Sequence, residues 1–276
     1  MTTTAPTAEQ IRNAWDALAD DYDRHVSPHT GAFADQLLAG VDLGPGRRCL
    51  DVAAGTGAVS VRAARTGAQV VAVDHAPRMI ECLRANARAE GLANLEARVM
   101  DGQALDLPDE SFDAAVSNQG VSLFPDFDRG LSELVRVTGP GGGIHIAAFG
   151  SFGRAEPFGF LAGAMKAVVP DFAPPESPPQ AFQLADPEVM RRKLTGAGLE
   201  AVSIDTATWE MRFESAAEFW ATFCSANPAW KQMTDGLTGE QRDQVRQVLD
   251  GMFRERSGGG PEAVIRTEVN IGRGTK

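Results

Sequence analysis

Two aspartates, Asp51 and Asp74, each end an apolar run with the character of a buried strand. Between them lies a turn rich in small residues, where Gly55 and Gly57 can adopt positive φ and let backbone amides approach a ligand. If the two runs are neighbouring parallel strands, both carboxylates lie at the carboxyl edge of one sheet, where ligands bind in such folds. The spacing therefore predicts a binding site built from two carboxylates and a glycine turn.

Two kinds of ligand suit such a turn: a dinucleotide with its pyrophosphate on the helix N-terminus, or a nucleoside cofactor without phosphates. The dinucleotide pattern G-x-G-x-x-G keeps one of its three glycines here, because Ala53 and Ala58 occupy the first and third positions. In a partly dry pocket Asp51 would repel a pyrophosphate and attract an ammonium group. Both observations favour the nucleoside cofactor.

The elements that must position these residues alternate between strand and helix. Such alternation predicts a mostly parallel sheet with helices on both faces. The predicted strands are 47–52, 68–74, 96–100, 112–117 and 143–149, and the helices between them are 56–65, 77–89 and a segment from Phe127 that ends at Gly139.

Further elements are expected on either side of this core. Thr7 and Gln10 form the signature of a capping box for a helix that ends near Tyr22, and the segment 31–38 predicts a second helix. The segment 150–183 is dense in Phe, Gly and Pro and predicts a helix followed by irregular structure. Beyond it we expect helices over 186–195, over 215–223 and from Thr238, and strands over 201–213 and 263–271.

Composition excludes several classes of protein. The formal net charge is -11 and no Lys/Arg cluster is present, which argues against a nucleic-acid partner. No apolar run approaches the ~20 residues of a membrane span, and the first ten residues lack the features of a signal peptide, so we expect a cytoplasmic protein. Cys49, Cys82 and Cys224 are widely spaced, so we expect buried reduced thiols and no metal site.

Four stretches in order, LDVAAGTG, AVDHAPRMI, MDGQALDLPDESFDAAVSNQG and FPDFDRGLSELVRVTGPGGGIHIAAFG, carry a resemblance to a known family. The sequence resembles the class I S-adenosylmethionine-dependent methyltransferases, specifically the UbiE/COQ5-like (methyltransferase type 11) group. The resemblance covers roughly residues 15–150 and weakens in the tail. It implies a three-layer Rossmann-like α/β sandwich with a seven-stranded, mostly parallel sheet whose last strand is antiparallel, plus extra helices that form a lid or cap.

The same resemblance implies one domain over 1–276 with three parts. These are an N-terminal helical lid (1–40), a cofactor-binding core (41–150), and substrate-side helices with a terminal strand pair (151–276).

The resemblance also implies which residues bind S-adenosylmethionine. Asp51, Ala53, Gly55 and Gly57 match the motif that holds the methionine part, while Asp74 matches the acidic residue that binds both ribose hydroxyls. The remaining implied contacts are Met79, Asp101, Gly102 and Gln103 around the adenine, His75 near the ribose, and Tyr22, Ser117, Asn118 and Gln119 at the methionine end.

Some of these positions also have simpler explanations. Asp74 could cap the helix that follows it, and Asp101 could be a turn residue. Ala53 stands where many relatives have glycine; positive φ there would cost roughly 1 kcal/mol, so we expect negative φ. His145 is expected to be a core histidine with its hydrogen bonds satisfied, and Glu133 with Arg136 a surface ion pair worth under ~1 kcal/mol.

A sulfonium methyl group is already activated, so its transfer needs mainly a close and aligned acceptor. A base assists when the acceptor is a phenol or an alcohol. The candidates for this catalytic base are His25 and His29, on a segment that in relatives folds over the cofactor; both could instead be solvent-exposed loop residues.

Aromatic residues outside the sheet core predict a pocket for a small apolar or aromatic acceptor. The predicted lining residues are Phe149, Phe152, Phe158, Trp220 and Phe223, with Phe160 and Trp230 as further contributors.

The leading hypothesis is a methyltransferase of small-molecule, secondary metabolism, acting as a monomer or homodimer and releasing S-adenosylhomocysteine. The sequence does not choose among C-, O- and N-methylation. Two alternatives stay open: a cofactor-binding protein that catalyses a non-methylating rearrangement or cyclisation, and an NAD-dependent oxidoreductase.

Overall fold

The computed structural model describes residues 7–174 and 177–276. At its centre lies one sheet of seven strands. The strands are β1 (Arg48–Val52), β2 (Gln69–Asp74), β3 (Leu95–Val99), β4 (Phe112–Asn118), β5 (Thr138–Phe149), β6 (Glu200–Phe213) and β7 (Ala263–Thr275).

Ten helices surround the sheet within these described residues. They are α1 (Ala8–His25), α2 (Ser27–Leu38), α3 (Ser60–Arg65), α4 (Pro77–Ala89), α5 (Phe127–Val137), α6 (Glu156–Val168), α7 (Pro187–Gly196), α8 (Ala216–Trp220), α9 (Pro228–Thr234) and α10 (Gly239–Ser257). Short 3₁₀ turns cover Val121–Leu123, Phe152–Arg154 and Gln180–Phe182, and α8 continues as a π-helical turn over Ala221–Ser225.

The strands lie in the order β3, β2, β1, β4, β5, β7, β6. Strands β1 to β5 pair in parallel, whereas β7 runs antiparallel to both of its neighbours. The order reverses between β1 and β4, and in open α/β sheets ligands bind at the carboxyl ends of the strands beside such a reversal. The predicted α/β sandwich with a seven-stranded sheet is therefore confirmed.

Alternate side chains of each strand enter cores on opposite faces of the sheet. In β1, Cys49 belongs to one buried apolar cluster and Leu50 to the other. The Cys49 face is covered by α2, α6, α8 and α10, and the Leu50 face by α5 and α7. Burial on both faces explains why the central strands are continuously apolar and do not alternate with polar residues.

The last two strands extend above the carboxyl edge of the parallel part of the sheet. Phe149, at the end of β5, pairs with Val269, whereas β7 begins six residues earlier at Ala263. The extension is paired with the end of β6, up to Phe213 opposite Ala263. We call this two-stranded extension the wall. It rises from the same edge of the sheet at which the two aspartates lie, and β4 and β5 separate it from their strands.

Several element boundaries differ from those predicted. The helix after the glycine turn begins at Ser60 instead of 56, because residues with positive φ occupy the turn before it. The first helix extends to His25 and the second begins at Ser27, while the Thr7–Gln10 capping box forms as expected. Helix α9 was not predicted; Asn227 caps it and Pro228 starts it.

The expected ion pair between Glu133 and Arg136 forms, but it is half-buried and makes more contacts than a simple surface pair. The Glu133 side chain is 18% exposed, accepts a hydrogen bond from the Leu105 amide at 2.7 Å and binds Arg136. Arg136 also donates to the carbonyls of Leu105 and Leu107. The guanidinium of Arg136 holds the pKa of the Glu133 carboxyl below its usual range. The pair thus fastens the loop between β3 and β4.

His145 is buried as expected, but its hydrogen bonding is not satisfied. Its Nδ1 has no hydrogen-bond partner in the described part of the chain. Desolvation, with a smaller effect of the Arg273 charge, lowers its pKa to about 4, so the ring is neutral at pH 7.

No helix within 7–174 or 177–276 combines the length and apolarity needed to cross a membrane.

Candidate active site at the carboxyl edge of the sheet

Asp51 is almost completely buried, with 1% of its surface exposed. One carboxylate oxygen accepts a hydrogen bond from the hydroxyl of Ser60, the first residue of α3. Burial raises the pKa of Asp51 to about 7, and the nearby charge of Asp74 acts in the same direction, against the lowering effect of the Ser60 hydrogen bond. The carboxyl group is therefore poised to gain or lose a proton near neutral pH.

Asp74 lies at the end of β2, 7% exposed, and binds two backbone amides. Its carboxylate accepts from Gly55 N at 2.9 Å and from Ala76 N at 3.0 Å, and His75 Nδ1 lies 3.6 Å away. Burial is the main cause that raises the pKa of this carboxyl. Asp74 thus contacts the residue that precedes α4 but does not cap that helix, and lone pairs for a ligand remain on its carboxylate.

Neither buried aspartate pairs with a lysine or arginine in the described residues. Two carboxylates at adjoining strand ends therefore give this edge a negative potential that only a nearby histidine can offset. A ligand with a positive charge would relieve their mutual repulsion.

The glycine turn between the aspartates runs through positive φ. Gly55 has φ 55° and Gly57 has φ 99°. A Cβ on Gly57 would lie 2.8 Å from Cγ of Leu83, so only glycine fits there. The amide of Ala54 donates to the carbonyl of Val73 at 3.0 Å, which draws the turn onto β2.

The expectation of negative φ at Ala53 is wrong, because its φ is 57°. The turn towards β2 requires a left-handed residue at this point. Room for the Ala53 side chain exists because residue 120 is glycine, where any Cβ would overlap the Ala53 methyl group. An alanine in this conformation costs roughly 1–2 kcal/mol, so the turn carries strain at the edge of the site.

The ring of Tyr22 covers the glycine turn. Its Cε1 lies 3.5 Å from the position that a Cβ on Gly55 would occupy. Burial raises the pKa of Tyr22 to about 12, with the Asp74 and Asp51 charges acting in the same direction, so the phenol is neutral. Trp15 packs edge-on against it with ring centroids 5.9 Å apart.

Helix α1 is fastened to α4 by polar contacts that place Tyr22. Asp16 accepts from the Arg78 amide at 2.6 Å, and Asp20 lies 2.8 Å from the Arg78 guanidinium. Asp23 accepts from Asn86 at 2.9 Å. These acidic residues recur along one face of α1, and they hold the helix over the site.

The residues predicted to surround an adenine lie in the first turn of α4 and in the loop after β3. Met79 is 2% exposed and packs with α1, close to Tyr22. A carboxylate oxygen of Asp101 accepts from the Gln103 amide at 2.8 Å, as in a turn, yet the residue is exposed. Gly102 has no room for a side chain, because a Cβ would lie 2.5 Å from Phe124.

The residues at the end of β4 differ in what their side chains contact. The Ser117 hydroxyl donates to the Val52 carbonyl at 2.8 Å and accepts from the Val121 amide, so it is used within the protein. Asn118 donates to the Thr30 carbonyl at 3.3 Å. Gln119 has φ 60°, a second non-glycine residue in left-handed conformation.

Several buried polar atoms near this edge have no hydrogen-bond partner among the described residues. They are Thr56 Oγ1, Asn118 Oδ1 and both polar side-chain atoms of Gln119. Unpartnered buried polar groups are costly, and a bound ligand is one way to satisfy them. The site therefore fits a polar ligand that carries both hydrogen-bond donors and acceptors.

Most of the predicted pocket aromatics form one connected cluster. Phe149 stacks on Phe182 at 5.2 Å, and Phe158 contacts Trp230 at 4.2 Å. Phe152 joins Phe158 at 5.1 Å, and Phe223 joins Trp230 at 4.8 Å; Phe160 connects through Phe219. Trp220 differs, because its ring partner is the Arg246 guanidinium of α10 at 4.9 Å.

The two candidate histidines lie in different surroundings. The His29 side chain is 12% exposed and lies 4.6 Å from the Phe213 ring, and its Nε2 is 4.0 Å from Glu218 Oε1. Desolvation lowers the pKa of His29, partly opposed by Glu218. His25 ends α1, and its carbonyl accepts a hydrogen bond from Thr222. The His29 ring therefore contacts the aromatic cluster through Phe213.

Sequence reasoning missed several residues of this site. The regular alternation of Trp209, Met211 and Phe213 along β6 could have indicated an inward aromatic face. Ser60 and Gly120 carry no such signal, because their importance comes from contacts with Asp51 and Ala53 that only the fold reveals. Among the described residues, no group of three or more His, Cys, Asp or Glu side chains is placed to hold a metal ion.

Comparisons with known proteins agree with this geometry. Residues 49–142 match the model of a methyltransferase domain. An uncharacterised protein of Mycobacterium tuberculosis is 42% identical over 121 residues, which cover 43% of this chain and 44% of that protein. A demethylmenaquinone methyltransferase of Corynebacterium urealyticum is 38% identical over 146 residues, covering 51% of this chain and 60% of the relative. The chain thus spans about half the length of the curated relatives it matches.

Solved structures share the whole fold at low identity. The cyclase SpnF superimposes with a TM-score of 0.63 at 18% identity, covering 99% of this chain and 97% of that one. A phosphoethanolamine N-methyltransferase of Haemonchus contortus, in a complex with S-adenosylhomocysteine, gives a TM-score of 0.54 at 18% identity and covers 94% of this chain and 60% of that one. The matched methyltransferase domain covers residues 49–142, and the solved structures show that the whole chain shares the fold of these proteins.

Proposed function

We propose that this protein transfers a methyl group from S-adenosylmethionine to a small apolar or aromatic metabolite. The observation that carries the proposal is the pair of buried carboxylates, Asp51 and Asp74, at adjoining strand ends around the glycine turn. Their excess negative charge suits a cofactor that carries an ammonium and a sulfonium.

In this proposal Asp51 faces the ammonium group and Asp74 accepts from the ribose hydroxyls. Gly55 and Gly57 let the turn approach the cofactor, and Tyr22 covers its methionine end. Asn118, Gln119 and Thr56 supply the unpartnered polar atoms of the site. Around the adenine we place Met79, Asp101, Gly102 and Gln103, with His75 near the ribose.

The cofactor, when bound, supplies a methyl group already activated by its sulfonium. The task of this chain is then to hold an acceptor close and aligned, which can supply roughly 7–11 kcal/mol of the barrier. The aromatic cluster on the substrate side, with Phe149, Phe158 and Phe223, offers the apolar lining for that acceptor. We assign residues 1–40 to the lid, 41–150 to cofactor binding and 151–276 to the acceptor side.

If the acceptor needs deprotonation, we propose His29 as the base in preference to His25. Its lowered pKa keeps the ring neutral at pH 7 and therefore able to accept a proton. Glu218 lies 4.0 Å from its Nε2 and would stabilise the protonated ring. The carboxylate of Glu218 is itself held by the Glu214 amide at 2.7 Å.

The test is accumulation of S-adenosylhomocysteine, measured by chromatography while candidate phenols, quinones and indoles are turned over. Methyl transfer requires one molecule of S-adenosylhomocysteine per molecule of product. Conversion of an acceptor without S-adenosylhomocysteine would instead show the non-methylating alternative, a rearrangement or cyclisation. We further propose a cytoplasmic location, a role in secondary metabolism and a monomeric or homodimeric state.

A further inference from the structure

Two buried polar side chains lie side by side on one face of the strand pair formed by β6 and β7. Trp209 and Thr267 are directly opposite in the antiparallel register, so their side chains lie on the same face of the sheet. Trp209 is 7% exposed and Thr267 is 2% exposed. Within the described residues neither the indole Nε1 nor the hydroxyl oxygen has a hydrogen-bond partner.

The two groups point to a particular ligand chemistry. An indole N–H only donates, and a threonine hydroxyl can also donate, so together they can bind a single oxygen acceptor. Neither group is charged, which suits a neutral carbonyl or phenol oxygen better than a carboxylate. Protein interiors rarely leave two adjacent polar groups without hydrogen-bond partners, and a bound ligand would supply the missing partner.

The pair lies where helix α2 packs against the inner face of β6, and His29 lies in the same contact. We call this contact between α2 and β6 the seam. On α2, His29 and Phe33 are one turn apart, and they contact Phe213 at 4.6 Å and Trp209 at 5.6 Å respectively. Trp209 and Phe213 lie on one face of β6, because they are four residues apart in a strand. An extended ring system in this seam would therefore contact both the proposed base and the polar pair.

The strand register places the polar pair near the carboxyl edge of the sheet. Thr267 belongs to the part of β7 that rises beyond Phe149, the last residue of β5, whose partner is Val269. The aromatic cluster that contains Phe149 and Phe213 lies on the same side of the wall. A ring compound bound there would meet mainly aromatic side chains, with His29, Trp209 and Thr267 as the polar contacts.

We propose that Trp209 and Thr267 bind a carbonyl or phenol oxygen of the methyl acceptor, at a distance from the methylated atom. This inference rests on the proposed function. The acceptor class is then an apolar ring compound with an uncharged oxygen at its far end. The pair selects this oxygen, because an acceptor without it would leave both groups unpartnered.

The binding test compares 1-tetralone with tetralin, which has the same ring skeleton but lacks the carbonyl oxygen. Both are titrated into protein labelled with ¹⁵N at its tryptophans and saturated with S-adenosylhomocysteine, and the Trp209 indole signal is assigned with Trp209→Phe. We expect 1-tetralone to move that signal downfield and to bind about tenfold more tightly than tetralin. Equal affinities, or no binding of either compound at millimolar concentration, would overturn the proposal.

A second test measures the stability of a variant as well as its preference for the ketone. Thr267→Val removes only the hydroxyl, so we expect an unchanged or higher Tm for the ligand-free protein and a loss of most of the preference for 1-tetralone. The matched control is Thr138→Val, because the buried Thr138 hydroxyl donates to the Leu134 carbonyl at 2.7 Å. This control should lower Tm by roughly 2–4 °C. An equal loss in Thr267→Val would mean that its hydroxyl has a structural partner, and would contradict the proposal.

Titration of S-adenosylhomocysteine into the same protein separates the two claims. If it does not bind, the proposed function fails. If it binds to wild type and Thr267→Val alike while the ketone preference is missing, only the assignment of Trp209 and Thr267 fails.

Discussion

The methyl group of Ala53 occupies the space that a side chain on Gly120 would need. Ala53 ends the β1 side of the turn with φ 57°, and Gly120 follows the end of β4. The two residues belong to the neighbouring strand ends between which the order of the sheet reverses. The strained turn and the glycine therefore depend on each other.

Replacing Gly120 with alanine should lower the free energy of unfolding by about 1–3 kcal/mol, because the added methyl overlaps Ala53. In an Ala53→Gly background the loss should be smaller, since the overlapping atom is gone. Chemical denaturation of the four proteins of this cycle measures the coupling. Gly251→Ala is the control, because a Cβ there meets nothing within 4 Å. Equal losses in both backgrounds would show that the two residues do not compete for space.

Asp74→Asn should weaken S-adenosylhomocysteine binding by roughly 10–100-fold, because charged hydrogen bonds worth about 1.5–3 kcal/mol are lost. The replacement keeps one oxygen for the Gly55 amide but loses the acceptor of the Ala76 amide, so a Tm measurement checks that the variant is folded. Calorimetric titration gives the affinity. Asp243→Asn makes the same change of charge on the exposed face of α10 and should leave the affinity unchanged. Unaltered binding by Asp74→Asn would exclude Asp74 from the ribose site.

Cofactor affinity should rise with pH as Asp51 ionises. Its pKa of about 7 in the free protein means that the carboxyl is largely protonated at pH 6 and ionised at pH 8. The ionised form attracts the ammonium group, so titrations of S-adenosylhomocysteine from pH 5.5 to 8.5 should show affinity that increases through pH 7 and then levels off. Asp51→Asn should remove this dependence. A pH profile that is the same in both proteins would rule out Asp51 as its source.

The same shift predicts how Asp51 affects stability. Its pKa is about 7 when folded and near 3.9 when unfolded, so between these values the folded chain holds more protons. Its contribution therefore becomes less favourable as pH rises from about 4 to 7. Ligand-free Asp51→Asn should be more stable than wild type at pH 8, by roughly 2–4 kcal/mol, and the gain should shrink at pH 5. Chemical denaturation of both proteins at pH 8 and pH 5 measures the stability that Asp51→Asn gains over wild type. A gain that is as large at pH 5 as at pH 8 would contradict the raised pKa of Asp51.

Tyr22→Ala should speed release of S-adenosylhomocysteine more than Tyr22→Phe does. The ring of Tyr22 covers Gly55, and its phenol is neutral, so the packed ring matters more than the hydroxyl. We expect a release rate at least tenfold higher for the alanine variant and a change of about threefold or less for phenylalanine. Stopped-flow displacement measures both rates. Equal effects of the two variants would assign the role to the hydroxyl.

The sequence predicted the sheet because its core strands are short apolar runs separated by helices with clear boundaries. The position of Asp51 and Asp74 followed from the same pattern, since parallel strands place their carboxyl ends at one edge. The seven-stranded sheet with an antiparallel last strand and the cofactor class came from the resemblance over residues 15–150, which lies in the part of the chain richest in motifs.

Other features depend on contacts between distant residues and have no local signal. The φ of Ala53 depends on space left by Gly120, which lies 67 positions later in the chain. The hydrogen bonds of Arg136 join α5 to the loop between β3 and β4. The sequence shows only that Glu133 lies three residues before Arg136, which predicts no more than a surface pair. Trp209 and Thr267 become neighbours only when β6 and β7 pair.

The central claim is that the edge formed by Asp51, Asp74 and the glycine turn binds S-adenosylmethionine. Isothermal titration of the wild-type chain with S-adenosylhomocysteine at pH 8, where Asp51 is ionised, tests it most directly. The account predicts binding of one molecule per chain in the micromolar range or tighter, with clear weakening in Asp74→Asn. No detectable binding at high micromolar ligand would contradict it.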